Sequence, residues 1–161
     1  MLERHNTINF PSGSSRANPV TVAVFPGEKV TLRGTVAIGI ETPLTLYVIF
    51  HGIIIDAIGL ESGISLNGGT HHLRFINGEV KNAVGKSGIN TSYHNDTNPG
   101  DTSHQFINMH VHHNGLNTSH NTAIHQAAHR QGFYIETWDN LIEKCRIHDN
   151  AGWGIHQYLF R

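Results

Sequence analysis

The feature that most constrains this chain is a set of apolar residues that returns four times at the same offsets. Phe50, Ile53 and Ile55 are followed by Phe75, Gly78 and Val80, then by Phe106, Met109 and Val111, and finally by Ile142, Cys145 and Ile147. Past each set lies a Gly-apolar pair that opens another short strand: Gly63-Ile64, Gly88-Ile89, Gly132-Phe133 and Gly154-Ile155. The steps between copies are 25, 31 and 36 residues, growing where polar insertions enter at 93–104 and 116–131. Upstream, Val20–Val24 and Val30–Leu32, split by Pro26-Gly27, read as an opening turn of the same kind. A unit this short cannot bury its apolar face alone, so the copies must stack. Parallel stacking at ~4.8 Å aligns equivalent side chains in inward columns and makes a β-solenoid. From Val20 to Phe160 the chain provides about five coils, in one domain over 1–161.

Composition agrees with an all-β fold and narrows the partners. Gly, Asn and β-branched residues interrupt every apolar run and disfavour helix interiors. One short helical turn is expected, at Thr122–Arg130. Charged residues are only 14% of the chain and the formal net charge is −1, which removes the basic field that a nucleic-acid partner needs. No apolar run approaches the ~20 residues of a membrane span. The single cysteine, Cys145, excludes an internal disulfide framework and any Cys-rich zinc site. The 14 histidines are scattered from His5 to His156, so they are no purification tag. Asparagines fall where stacked turns would align them: Asn77 with Asn108 in one column, and Asn82, Asn114 and Asn150 near a second.

The stretch Asn18-Pro-Val-Thr-Val-Ala-Val-Phe-Pro-Gly-Glu28 resembles the first coil of right-handed parallel β-helix proteins of the pectate-lyase-like superfamily. Asp139-Asn-Leu-Ile-Glu-Lys-Cys-Arg-Ile-His-Asp-Asn-Ala-Gly-Trp-Gly-Ile155 resembles their generic repeat. With the copies between, the resemblance covers roughly Asn18 to Phe160. It implies a right-handed parallel β-helix and a range of activities: polysaccharide lyases, glycoside hydrolases, uronate epimerases, tailspikes and copper-maturation proteins. Most of the superfamily's members are far longer, so the resemblance implies either a fragment of a longer β-helix or a homo-oligomer in which a second copy covers the open strand edges. A polysaccharide-facing member is usually secreted or periplasmic, although no export leader opens this chain.

Alternation within each short strand assigns the outer face. If Met109 and Val111 point inward, His110 and His112 point out. The same offsets put Glu79, His110 and Arg146 in one outer column, with Lys81, His112 and His148 beside them. Such a strip suits an acidic, uronate-containing polysaccharide. Elimination or C5 epimerisation requires the sugar carboxylate to be neutralised and the C5 proton removed. Arg146 or a metal ion could supply the first. Lys81, His112 or His148 could supply the second. The expected catalytic residues are therefore Lys81, His112, Arg146 and His148. Glu79, His110, Tyr93 and Trp153 are the expected substrate contacts, Tyr93 overhanging from the first insertion and Trp153 exposed between two glycines.

Three other readings stand beside this one. Glycoside hydrolysis would need two carboxylates about 5 to 9 Å apart, and Glu136, Asp139, Glu143 and Asp149 cluster in the last third of the chain. A sugar-binding or spike-like module would use the strip only to adhere. A metal-binding solenoid would use the second insertion, where His125-Gln-Ala-Ala-His129 sets two imidazoles at i, i+4 and His120 lies nearby. That spacing is similar to a zinc-peptidase motif, but Gln126 replaces the general-base Glu, which excludes protease chemistry. Asp96, Asp101 and His104 in the first insertion could contribute. Imidazoles would suit zinc or copper, and carboxylates calcium.

Overall fold

The structure, a computed structural model, describes residues 10–33, 38–40, 45–66, 69–92, 102–115 and 130–158. These form fifteen short strands and, among the described residues, no helix. The first circuit holds β1 (Val20–Ala23), β2 (Thr31–Arg33) and β3 (Ile38–Ile40). The second holds β4 (Val48–His51), β5 (Ile54–Asp56) and β6 (Ile64–Leu66). The third holds β7 (Arg74–Ile76), β8 (Glu79–Lys81) and β9 (Ile89–Thr91). The fourth holds β10 (Gln105–Ile107), β11 (His110–His112) and β12 (Phe133–Ile135). The fifth holds β13 (Leu141–Glu143), β14 (Arg146–His148) and β15 (Ile155–Gln157).

Every third strand pairs, giving three five-stranded sheets: β1-β4-β7-β10-β13, β2-β5-β8-β11-β14 and β3-β6-β9-β12-β15. All pairings are parallel. The chain visits the three sheets in rotation and returns one strand further along, an arrangement consistent with a β-helix.

The register reproduces the repeat residue for residue. Val22, Phe50, Phe75, Phe106 and Ile142 are successive partners in the first sheet. Leu32, Ile55, Val80, Val111 and Ile147 are partners in the second. In the third, Ile64, Ile89, Phe133 and Ile155 align. A one-residue slip would turn every apolar side chain outward, so the burial of these columns fixes the pairing. The Phe50, Phe75 and Phe106 rings stack nearly parallel, at centroid distances of 4.9 and 5.5 Å. Phe133 meets Phe106 edge-on at 5.3 Å.

Glycines sit where neighbouring coils come closest. A Cβ on Gly78 would lie 2.7 Å from the Ile53 carbonyl and 3.0 Å from Met109 Cε. The long Met109 side chain thus fills the slot that Gly78 leaves open. On Gly88 a Cβ would meet Asn114 Nδ2 at 2.6 Å, so the pair opening β9 must begin with glycine.

The turns form columns too. Between the first and second sheets, Gly52, Asn77, Asn108 and Lys144 all have positive φ. Asn tolerates that region because its short polar side chain bonds locally. Asn108 Nδ2 donates to Asn77 Oδ1 at 2.7 Å, which is the expected ladder. The second column departs from expectation by one position. Asn82 shares its positive-φ site with His113 and Asp149. The ladder runs through the next residue instead, where Asn114 Oδ1 accepts from the Ala83 amide and Asn114 Nδ2 donates to Asn150 Oδ1 at 2.9 Å.

The insertion boundaries are only partly described. The expected helical turn at Thr122–Arg130 lies, apart from Arg130, outside the described residues, and Arg130 belongs to no element. His104 is not a surface ligand of the first insertion. It is fully buried, with neither ring nitrogen hydrogen-bonded, because it occupies the inward position two residues before Phe106, as Leu73 does before Phe75. The fifth circuit is the least covered: Trp138, Leu141, Trp153, Ile155 and Tyr158 are all exposed.

Candidate functional site on the second sheet

The second sheet presents two outward rows. Ile54, Glu79, His110 and Arg146 are successive partners in one. Arg33, Asp56, Lys81, His112 and His148 are successive partners in the other. Six expected site residues, Glu79, Lys81, His110, His112, Arg146 and His148, therefore meet on three adjacent strands. Parallel pairing sets them side by side at the strand spacing, and inward Val80, Val111 and Ile147 anchor each strand from behind.

The side chains close into a network. Lys81 Nζ donates to Glu79 Oε1 at 2.6 Å, and His112 Nε2 lies 3.2 Å from the same oxygen. His110 Nε2 and His148 Nε2 are 2.7 Å apart, and His112 Nδ1 and His113 Nδ1 are 2.6 Å apart. The His112 and His148 rings stack within 6° of parallel, at 5.3 Å. His148 Nδ1 is 2.8 Å from Asp149 Oδ2. The side chains of His112, Glu79, Lys81 and His148 are 13%, 21%, 26% and 30% exposed, partly dehydrated yet open to a ligand.

Hydrogen bonding favours the ionised form of Glu79 and Asp149, and burial favours the neutral form of His110 and His112. Burial alone would raise the Glu79 carboxyl. Hydrogen bonds from Lys81 and His112, with their charges, outweigh it and hold Glu79 below its ordinary value. Burial lowers His110, and the neighbouring His112 and His148 lower it further. Burial lowers His112 as well, against the upward pull of Glu79. The hydrogen bond with His148 lowers Asp149.

The strip is less basic than its sequence suggests, because acids pair with its cations. Arg33 faces Asp56 at 3.4 Å and Lys81 faces Glu79. Among the described residues, Arg146 is the strip's cation with no carboxylate partner. Asp149 and His113 also belong to the site. The sequence offers Asp149 only as one of four clustered carboxylates and does not single out His113. Their adjacency to His148 and His112 was the available signal.

Other expected residues lie elsewhere. Trp153 is exposed in the fifth circuit, and its ring meets His156 of the third sheet edge-on at 4.5 Å. Tyr93, His120, His125, His129, Asp96 and Asp101 lie outside the described residues. The four carboxylates considered for hydrolysis have separate settings. Glu136 accepts from the Tyr134 hydroxyl at 2.9 Å, Glu143 pairs with Lys144, Asp149 pairs with His148, and Asp139 sits in a positive-φ turn. A metal could be held elsewhere than in the second insertion: Glu79, His110 and His112 offer ligand atoms all within 4.8 Å of one another.

A shallow cleft lies on the first sheet's side, lined by Arg16, Tyr47, His72, Arg74 and Gln105 among others. There His71 Nδ1 and His72 Nδ1 lie 2.8 Å apart and Arg74 Nε donates to Gln105 Oε1 at 2.7 Å, but among the described residues no carboxylate pairs with them. No family model, curated protein or solved structure matches the chain.

Proposed function

We propose that the chain is a right-handed parallel β-helix that binds an acidic, uronate-containing polysaccharide along the outer face of its second sheet. On this reading it acts by abstracting the C5 proton of a uronate, leading to β-elimination or epimerisation. The preference of parallel crossovers for the right hand supports that handedness. The observation that carries the functional reading is that Arg146 and His148 share one face of β14, with Asp149 bonded to the far nitrogen of His148.

That pairing suits general-base work. An Nδ1–H donated to Asp149 leaves Nε2 of His148 as an acceptor, which holds the Nε2–H of His110 at 2.7 Å until substrate displaces it. Nε2 takes the C5 proton. The electron pair moves toward the sugar carboxylate, whose charge Arg146 balances, assisted by Lys81. Lys81 donates to Glu79 and so serves as a cation, not as the base. In elimination the electron pair then forms the C4–C5 double bond as the C4–O bond breaks, and the departing oxygen takes a proton from an imidazole N–H such as that of His110. In epimerisation a proton returns to C5 from the opposite face. Glycoside hydrolysis is less well supported, since Glu136, Glu143 and Asp149 each engage a different partner. The polymer is extracellular, so this reading implies a secreted or periplasmic protein.

The test is incubation with alginate, pectate and hyaluronan. Elimination raises ultraviolet absorbance at the unsaturated-uronate band, and epimerisation changes the uronate composition measured by NMR. Either change, abolished in His148→Ala and Arg146→Ala, is the expected result. No change on the whole panel overturns the reading.

A further inference from the structure

The geometry points to a binding site for one divalent transition-metal ion of the zinc class, held by Glu79, His110 and His112 on the second sheet, with its open side toward His148. This site stands on its own donor set and does not depend on the polysaccharide reading.

The backbone brings the donors together. Glu79 and His110 are direct register partners on β8 and β11, and His112 lies two residues along the same face of β11. Their ligand atoms all fall within 4.8 Å of one another. Around a tetrahedral ion with bonds of ~2.0–2.2 Å, donor atoms stand roughly 3.3–3.6 Å apart. Side-chain torsions can supply that contraction while the strands stay fixed by the inward Val80 and Val111.

The imidazoles of the cluster also meet through their ring nitrogens. The contacts His110 Nε2–His148 Nε2 and His112 Nδ1–His113 Nδ1 can each hold only one proton between two nitrogens. Burial favours the neutral, ligating form of both His110 and His112. Two imidazoles with one carboxylate suit zinc and its neighbours, whereas calcium and magnesium demand oxygen ligands. Three protein ligands leave a fourth position for water or for His148, whose Nε2 already lies 2.7 Å from His110. Lys81 is the competitor. Its ammonium bonds Glu79 Oε1 and so competes with an ion for the carboxylate.

The test is calorimetric titration of the chelator-treated full chain with zinc chloride, paired with the visible spectrum of the cobalt-loaded protein. We expect one ion bound at this site and cobalt bands of a low-coordinate complex. His110→Ala, His112→Ala and Glu79→Gln should each weaken zinc binding at least about a hundredfold, beyond the effect usual for outer-shell partners. Lys81→Ala should bind zinc more tightly, whereas uronate chemistry should fall in the same variant, so the two readings fail separately. Variants at His71 and His72, or at His125 and His129, should bind as the parent does. In the unmutated protein, zinc should shift the ring 15N resonances of His110 and His112. Absence of zinc binding, retention of it in the His110 and His112 variants, or its loss on changing His125 and His129 instead would overturn the site.

Discussion

The first and second sheets have the same backbone and opposite chemistry outside. Both are five parallel strands with an apolar inner column and alternating outward residues. Outward, the first sheet carries Ile49, Arg74, Gln105 and Leu141 in one row and His51, Ile76, Ile107 and Glu143 in the next. The second carries Glu79, His110 and Arg146 beside Lys81, His112 and His148. Folding asks little of an outward position beyond tolerance of water. The mixed first sheet shows how little. The concentration of imidazoles and ion pairs on the second is therefore not a requirement of the fold, and function is the remaining explanation for it.

The largest expected effect would strike both sheets alike. Phe75 stacks between Phe50 and Phe106 and is buried, so Phe75→Ala should cost about 3–5 kcal/mol in denaturant unfolding. A loss confined to one face would break the idea of a shared core.

The next effect should separate the faces. His148→Ala or Arg146→Ala should reduce turnover of a uronate polymer roughly 10²–10⁴-fold while changing stability by only about 0.5 kcal/mol. Arg74→Ala on the first sheet should leave turnover within about twofold, a difference too small for a group in the reaction. Equal losses from both faces, measured by initial rates, would end the distinction.

A third contrast sets fully buried against half-buried imidazole. Burial, then the charges of His71 and His72, lowers His104 to about 3. Its contribution is intact above the unfolded value near 6.5 and is lost as pH falls from there toward about 3, because only the unfolded chain takes up the proton in that window. Each unit of that fall costs up to about 1.4 kcal/mol. His104→Leu should flatten the acid side of the stability profile, since Leu73 already occupies the same inward position one coil earlier. His110 and His112 are lowered in the same sense, so paired substitution there should produce a weaker flattening.

The smallest effect concerns the turns. Asn108→Ala loses both the hydrogen bond to Asn77 and tolerance of positive φ, and should cost about 1 kcal/mol by thermal unfolding. Asn108→Gly keeps the conformation and should cost less.

The columns were legible in the sequence because inward positions must be apolar at fixed offsets. Phe50, Phe75, Phe106 and Ile142 announce the first sheet, and Glu79, His110 and Arg146 follow from alternation. Turn details were less legible. Asn82 lies two residues past the inward Val80 and takes positive φ, whereas Asn114 and Asn150 lie three past Val111 and Ile147 and build the ladder, a one-residue offset that grouping the three asparagines overlooks. His104 ends a polar insertion, and its inward place shows only when it is counted back from Phe106 as Leu73 is from Phe75. The pairing of Lys81 with Glu79 was equally hidden: an i, i+2 pair on one strand face reads as two separate charges until the side chains are seen to touch.

The most direct test of the second sheet as the working face is an NMR titration of ring-labelled histidines with a short uronate oligosaccharide. The account predicts that resonances of His110, His112 and His148 move together, while those of His71 and His72 on the first sheet's side stay in place. Movement at His71 and His72 with a silent second sheet would contradict it.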